Sequence, residues 1–340
     1  MNGYQRVLSA LQGKEPDTTP VMLHNFMMAA REARLTMQQF RSDPHQMARA
    51  FIEAVEKYEF DGIMIDVDTV TLAGAAGVPV DFPVDEPARA SGSRLHSIEE
   101  VRDLPPVDIR QYNAVQVWLE ATSILVRHFD HEVFIRGNCD QSPFSLASLI
   151  RGLESWMVDL ADGDKHEDVH TLLNYSTDVT LQFIQLMSET GAHMTSNGDS
   201  VAGPDLISPD MFREFALPYE TRIVDQSHRL GLPYILHICG NTNRILDAML
   251  ETGSDGLELD YKTDASLAHA AMKDRTVFVG NIDPSGVLAL GSPSLVEEKT
   301  RELLTIFSDT PRFILNAGCA IPPITPPENM RRMISTARGF

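Results

Sequence analysis

The chain has 340 residues, of which 22% are charged and 43% hydrophobic, and its net charge is −20. This acidity argues against nucleic-acid binding, because phosphate contacts need basic patches. No apolar run approaches the roughly 18 residues of a membrane span, and the N-terminus lacks a basic region followed by an apolar block, so we expect a cytoplasmic protein. Three cysteines predict free thiols rather than a disulfide framework.

Eight short apolar runs alternate with helical patterns along the chain. Such alternation is typical of βαβ units and a parallel sheet. Eight such runs predict an α/β fold with a closed (β/α)8 TIM barrel. The predicted strands are 19–23, 62–66, 133–137, 192–196, 234–239, 256–260, 277–281 and 312–316.

Helix signals fill the gaps between these runs. Asp43-Pro44 and Ser208-Pro209 each place a capping side chain before a proline at the first helical position, and Ser97 with Glu100 predicts a capping box. Two connections, 67–132 and 139–191, are too long for simple crossovers and predict insertions after strands 2 and 3. Without a flexible linker or an internal repeat, we expect one domain over residues 1–340, with helices preceding the first strand.

Polar side chains recur where the predicted strands end. A barrel enzyme places its chemistry at the carboxyl ends of its strands, so these side chains predict a substrate pocket. Its candidate substrate-binding residues are Asp66, Asp68, Asn138, Asp140, Asp199, Asn281 and Asp283.

His237 and Cys239 stand two positions apart at the end of the fifth predicted strand, so their side chains leave the same face. Cys319 follows the eighth strand and reaches the same rim of the barrel. One imidazole and two thiolates with an open fourth position are typical of catalytic zinc. The remaining cysteine, Cys139, is interpreted as a structural or pocket residue.

A carboxylate from the sixth strand is a candidate for the fourth zinc position until a substrate displaces it. Glu258 and Asp260 have the same parity on that strand, so spacing leaves both open. Two thiolates make the site electron-rich and suited to holding a further sulfur ligand, which would lose its proton and remain nucleophilic. No separate protein nucleophile is predicted.

Several motifs together resemble the uroporphyrinogen decarboxylase superfamily. They are the opening helix and turn at 6–17, Leu236-His237-Ile238-Cys239-Gly240-Asn241-Thr242, Gly280-Asn281-Ile282-Asp283-Pro284 and Asn316-Ala317-Gly318-Cys319. The His-x-Cys motif with a late cysteine is most similar to the zinc-dependent, corrinoid-linked methyltransferases of that superfamily. Cobalamin-independent methionine synthase is similar in the same respect, and its additional glutamate ligand makes Glu258 a counterpart by spacing.

This resemblance implies a (β/α)8 barrel whose Zn²⁺ is held by His237, Cys239 and Cys319. It further implies a cytoplasmic enzyme that moves a methyl group between a corrinoid (cobalamin), delivered by a separate corrinoid protein, and a small thiol or a methoxylated or methylated compound. Asp-x-His-x-x-Gly, which we associate with base-off cobalamin binding, is absent from this chain.

Two alternatives stay open at this point. A metal-independent decarboxylase of the uroporphyrinogen type is disfavoured because the segment 24–33 holds one arginine, which suits a substrate with eight carboxylates poorly. A non-catalytic zinc protein that binds a corrinoid partner is the other. The methyl donor and acceptor, the direction of transfer, the corrinoid partner and the oligomeric state are not determined by the sequence.

Overall fold

Eight parallel strands form the centre of the computed structural model, which describes residues 1–340. Each strand pairs with the next in chain order, and a parallel bridge between Val21 and Leu315 joins the last strand to the first. The predicted (β/α)8 barrel is therefore confirmed, and each of the eight predicted runs overlaps one strand. The strands are β1 Met22–Leu23, β2 Gly62–Ile65, β3 Phe134–Gln141, β4 Met194–Gly198, β5 Tyr234–Ile238, β6 Gly256–Leu259, β7 Val277–Ile282 and β8 Phe313–Ala317.

Helices surround the barrel and occupy the two predicted insertions. None of them combines the length and apolar character that crossing a membrane requires. They are α1 Gly3–Leu11, α2 Phe26–Glu32, α3 Met37–Ser42, α4 Pro44–Tyr58, α5 Thr71–Ala75, α6 Asn113–Phe129, α7 Pro143–Arg151, α8 Leu153–Ala161, α9 His166–Ser188, α10 Pro209–Met211, α11 Leu217–Arg229, α12 Leu246–Glu251, α13 Ala265–Met272, α14 Pro293–Ile306 and α15 Pro327–Arg338.

Shorter elements complete the chain. The insertion after β2 contains an antiparallel hairpin of Val80–Asp81 with Arg89–Ala90. There are 3₁₀ turns at Ile98–Asp103, Ile109–Gln111 and Gly163–Lys165, and π-helical turns at Phe212–Ala216 and Pro284–Ala289.

Two of the three predicted helix caps are confirmed, and one is wrong. Asp43 caps α4, accepting from the amides of His45 and Gln46, and Ser208 caps α10. The capping box at Ser97 is wrong, because the Ser97 side chain makes no cap hydrogen bond. Glu100 instead accepts from the amide of His96 at 2.9 Å, which favours a tight 3₁₀ turn there.

The barrel interior is layered along its axis. At the amino end of the strands, inward-facing residues form an apolar cluster, which α1 closes from below with Val7 and Ala10. Because side chains alternate along a strand, the next inward positions lie two residues further on. Those positions are polar: Phe134 is followed by Arg136, Ile235 by His237, Met194 by Ser196 and Ile314 by Asn316.

Candidate metal centre

Three predicted ligands meet at the carboxyl end of the barrel. His237 lies on β5, Cys239 directly follows that strand, and Cys319 lies in the loop after β8. One ligand atom from each lies within 4.8 Å of the other two, and His237 Nε2 is 3.3 Å from Cys239 Sγ. His237 is 6% exposed, whereas both cysteines are partly exposed. The cluster is therefore a candidate metal site with one buried and two partly exposed members.

The loop that carries Cys319 packs closely on the neighbouring strand end. The amide of Gly318 donates to the carbonyl of Ile282 at 2.8 Å. A side chain at position 318 would collide with the backbone of Asp260 and Tyr261, so glycine lets this loop approach β6. This close approach brings Cys319 to Cys239 and His237, which lie 80 and 82 residues earlier in the chain (319 − 239 and 319 − 237).

The tautomer of His237 follows from its partner. Its Nδ1 lies 3.0 Å from the backbone carbonyl oxygen of Glu258, the residue opposite it in the β5–β6 register. Because a carbonyl only accepts, Nδ1 carries a proton, and in the neutral imidazole the lone pair therefore lies on Nε2. Fixing a ligating imidazole through its other nitrogen is how metal sites orient histidine.

Hydrogen bonds within the cluster shift the pKa values of all three groups. A hydrogen bond from the Cys319 thiol lowers the pKa of Cys239, and the same contact, together with burial, raises the pKa of Cys319 to about 12. Burial lowers the pKa of His237, but its hydrogen bond to Cys319 and the charge of Glu258 raise it to about 9. Since metal ligands must be deprotonated, occupation of this cluster by metal releases protons.

The two candidates for the fourth ligand have different surroundings. Asp260 accepts from the amides of Gly240 and Lys262, each at 3.0 Å, so both of its oxygens shape the backbone after β5 and β6. The Glu258 carboxylate is fully buried, and neither candidate belongs to the cluster of three. Burial opposes ionisation of Glu258, but the charges of Arg136 and His237 lower its pKa to about 2.

Glu258 is one link in a chain of polar contacts across the barrel interior. Its Oε2 accepts from Arg136 Nη2 at 2.7 Å, and Arg136 Nε donates to Ser196 at 2.8 Å. Ser196 then donates to the Asn138 side-chain oxygen at 3.3 Å. These contacts connect β6, β3 and β4 directly beneath the metal cluster.

The chain of contacts continues around the other side and closes. Asn138 donates to Asp66 at 3.0 Å, and Asp66 pairs with His24 Nε2 at 2.7 Å. The amide of His24 donates to the Asn316 side chain at 3.2 Å, and Asn316 donates to Glu258 Oε1 at 2.8 Å. We call this closed ring the polar belt; its members are His24, Asp66, Arg136, Asn138, Ser196, Glu258 and Asn316.

The predicted substrate residues of β2 and β3 line the opposite side of the mouth. Asp66 and Asn138 belong to the polar belt. Asp68 accepts from the amide of Val70 at 2.9 Å and lines a cavity of about 310 Å³. Asp140 accepts from the amide of Leu72 at 2.6 Å, and its second oxygen is buried without a partner. Burial raises the pKa of Asp68 to about 6 and that of Asp140 well above its usual range.

Of the other three predicted substrate residues, Asp199 lies apart from Asn281 and Asp283. Asp199 accepts from the amide and hydroxyl of Ser145, and burial raises its pKa to about 6. Asn281 donates to the carbonyls of Asp260 and Thr263, and Asp283 caps the turn at Pro284–Ala289. The two line a groove of about 470 Å³ to which none of the three cluster residues contributes. Substrate contact by these seven residues stays a prediction.

Sequence reasoning missed four members of the polar belt: His24, Arg136, Ser196 and Asn316. The alternation of side chains along a strand could have identified them. Each of the four stands two positions after an inward-facing apolar residue, and only His24 lies just beyond the end of its strand. Cys139, by contrast, is fully buried, in agreement with its structural interpretation.

Comparisons with known proteins agree with this architecture. The methylcobamide:CoM methyltransferase MtbA of Methanosarcina acetivorans is 32% identical over 285 residues, covering 79% of this chain and 81% of that protein. The uroporphyrinogen decarboxylase of Coxiella burnetii (strain Dugway 5J108-111) is 25% identical over 351 residues, covering 98% of this chain and 94% of that protein. A solved methyltransferase from Methanosarcina mazei superposes with a TM-score of 0.90 at 24% identity, covering 100% and 99% of the two chains, and shows the same fold.

The family model described as uroporphyrinogen decarboxylase (URO-D) matches residues 2–340, nearly the whole length of the chain. The resemblance inferred from the motifs is thereby confirmed. The chain belongs to the uroporphyrinogen decarboxylase family.

Proposed function

We propose that this protein is a zinc-dependent methyltransferase that moves a methyl group between a corrinoid, carried by a separate protein, and a small thiol or a methoxylated or methylated compound. The observation that carries the proposal is the cluster of His237, Cys239 and Cys319 at the barrel mouth. The similarity to a methylcobamide:CoM methyltransferase over most of the chain supports the same chemistry.

The donor set suits zinc. One imidazole nitrogen and two thiolates are common zinc ligands, and three protein ligands leave a position for substrate. The Nδ1–H···O=C contact of His237 already directs Nε2 toward the two sulfur atoms. Zinc bound there would lower the pKa of a thiol in the fourth position, or act as a Lewis acid on the heteroatom of a methylated substrate.

The protein contributes position and access. The buried His237 and the layered barrel wall hold the cluster in place, while the partly exposed sulfurs of Cys239 and Cys319 leave it open at the mouth. Between the two carboxylate candidates we favour Glu258 as the exchangeable fourth ligand, because its oxygens accept only from the side chains of Arg136 and Asn316, whereas those of Asp260 accept from backbone amides.

Among the predicted substrate residues, Asp68 has the best access to a ligand. It lines the cavity of about 310 Å³ together with Tyr112 and Phe82. Asp66 and Asn138 belong to the polar belt, and the negative charge of Asp68 acts on Asp140, which has one oxygen without a partner. We propose that Asp68 and Asp140 form the substrate wall opposite the cluster.

A turnover assay tests the proposal. Zinc-loaded protein is mixed with methylcobalamin and a panel of thiols, and in the reverse direction with reduced cobalamin and methoxylated or methylthio compounds, while the cobalamin absorbance is followed. We expect demethylation of methylcobalamin by at least one thiol, or methylation of reduced cobalamin by at least one donor. Binding of zinc and cobalamin without turnover would favour a non-catalytic zinc protein. Consumption of uroporphyrinogen by metal-free protein would favour the decarboxylase.

A further inference from the structure

Arg136 is the only arginine or lysine side chain of this chain that has no exposed surface. It projects from β3 into the barrel and contacts two members of the polar belt, Ser196 through Nε and Glu258 through Nη2. Its Nη1 has no partner. A buried guanidinium with one nitrogen unpaired is costly, so the fold carries it at the expense of stability.

Stability alone does not account for the Arg136–Glu258 pair. Both side chains are 0% exposed, and buried ion pairs are often replaced by apolar residues at no cost or with a gain in stability. The pair stands in the polar layer of the barrel interior, next to the apolar cluster at the amino end of the strands. The surroundings of the Glu258 carboxylate indicate a role beyond packing.

The Glu258 carboxylate lies close to the metal cluster but is directed away from it. Glu258 is the register partner of His237, and its Oε2 is 3.9 Å from His237 Nδ1, the ring nitrogen that does not face the two cysteines. Arg136 binds one carboxylate oxygen and Asn316 binds the other. Oε2 thus lies near the ring nitrogen that does not face Cys239, and Oε1 is engaged by Asn316.

We propose that Arg136 is a positioning residue that controls the fourth coordination position, by holding the Glu258 carboxylate whenever a substrate occupies the metal. This inference rests on the proposed function. It adds the residue that decides whether Glu258 or the substrate occupies the fourth position. With Arg136 present, Glu258 has a partner off the metal and yields its place to substrate. Without Arg136, the buried carboxylate has a single neutral partner, Asn316, and the metal becomes its favoured counter-charge.

Thiol binding to the Co²⁺-substituted protein tests this role without methyl transfer. Thiolate-to-Co²⁺ absorption bands report the cluster, and titration with 2-mercaptoethanol gives a thiol dissociation constant. We expect Arg136→Met to raise this constant by about 10- to 100-fold, the range in which residues supporting a metal ligand act. Arg136→Lys should restore most of the affinity, because lysine keeps the charge.

A double-mutant cycle separates positioning from general damage. Glu258→Gln removes the competing carboxylate, so Arg136→Met combined with Glu258→Gln should bind the thiol as Glu258→Gln does. Asn316→Ala removes the other carboxylate partner and should shift affinity in the same direction by a smaller factor. It also provides the test if Arg136→Met does not fold.

The outcomes distinguish this inference from the proposed function. Thiolate bands absent from the parent protein would contradict the metal site itself. Bands present, with thiol affinity equal in the parent, in folded Arg136→Met and in Asn316→Ala, would overturn the role of Arg136 alone. Losses that simply add in the double variant would overturn it as well, because they would show that Arg136 acts independently of Glu258.

Discussion

The two sides of the barrel mouth are both lined by polar side chains at strand ends, yet they are built for different tasks. On the side of β5, β6 and β8, His237 Nε2 and two sulfur atoms converge without backbone partners. On the side of β2, β3 and β4, most carboxylate oxygens accept from backbone amides or buried side chains. The Asp68 and Asp140 carboxylates, for example, accept from the amides of Val70 and Leu72.

This difference shows that position at a strand end does not by itself make a residue reactive. A group can bind a ligand only with the lone pairs or protons that the fold has not already engaged. By that measure the metal side is available for chemistry, and the carboxylate side mainly shapes loops and leaves Asp68 facing a cavity. The variants below test this division, beginning with the largest expected effect.

Cys239→Ser should reduce methyl transfer by about 100-fold or more, because a serine hydroxyl is a poor replacement for a zinc thiolate. Steady-state turnover of methylcobalamin measures the effect. Cys139→Ala is the matched control, since that thiol is fully buried outside the cluster and should leave the rate near the parent value. Equal losses in both variants would contradict the division between the two sides.

Asp66→Ala should lower the free energy of unfolding by about 3–5 kcal/mol, the cost of leaving a buried charge without its partner. Urea unfolding of the zinc-loaded protein measures it. Burial lowers the pKa of His24, but its ion pair with Asp66 raises it above the ordinary value of 6.5. The stability from this pair is therefore full below pH 6.5 and is lost as pH rises through the raised pKa.

The pH dependence supplies the control for that variant. The free energy of unfolding of the parent should fall as pH rises above about 6.5, and the decline should be shallower in Asp66→Ala. Parallel curves for the two proteins would show that the contact with Asp66 does not raise the pKa of His24.

Glu220→Gln should raise the free energy of unfolding at pH 8 by about 1–3 kcal/mol and have little effect at pH 4. Glu220 is fully buried against Asp199, and burial raises its pKa well above the usual range. A carboxyl group with a raised pKa loses its stabilising contribution as pH rises, whereas the amide stays neutral. Unfolding at the two pH values measures the difference, and equal effects at both would contradict the raised pKa.

Asp283→Ala should have the smallest effect, about 1 kcal/mol of stability from the loss of a cap. Its carboxylate accepts from the amides of Ser285 and Gly286 at 2.9 Å. If this cap is its whole role, KM and kcat stay near the parent values. A large rise in KM at unchanged stability would instead support the predicted substrate contact.

The strands and the metal cluster were predictable from the sequence, but the polar belt was not. Buried parallel strands are continuous apolar runs with polar ends, so the eight strands were recognisable from local pattern. The proximity of His237 to Cys239 was predictable from their spacing on one strand, and that of Cys319 from its place at the same rim. The polar belt was not, because contacts such as Arg136 with Glu258 join residues 122 apart and depend on the register of several strands.

Metal content tests the central claim most directly. The protein purified without chelator should contain about one zinc per chain, and both His237→Ala and Cys319→Ser should lose it while Cys139→Ala keeps it. Loss of zinc in the two ligand variants would establish the cluster as the metal site. Zinc absent from the parent protein, or retained in His237→Ala and Cys319→Ser, would contradict the methyltransferase account.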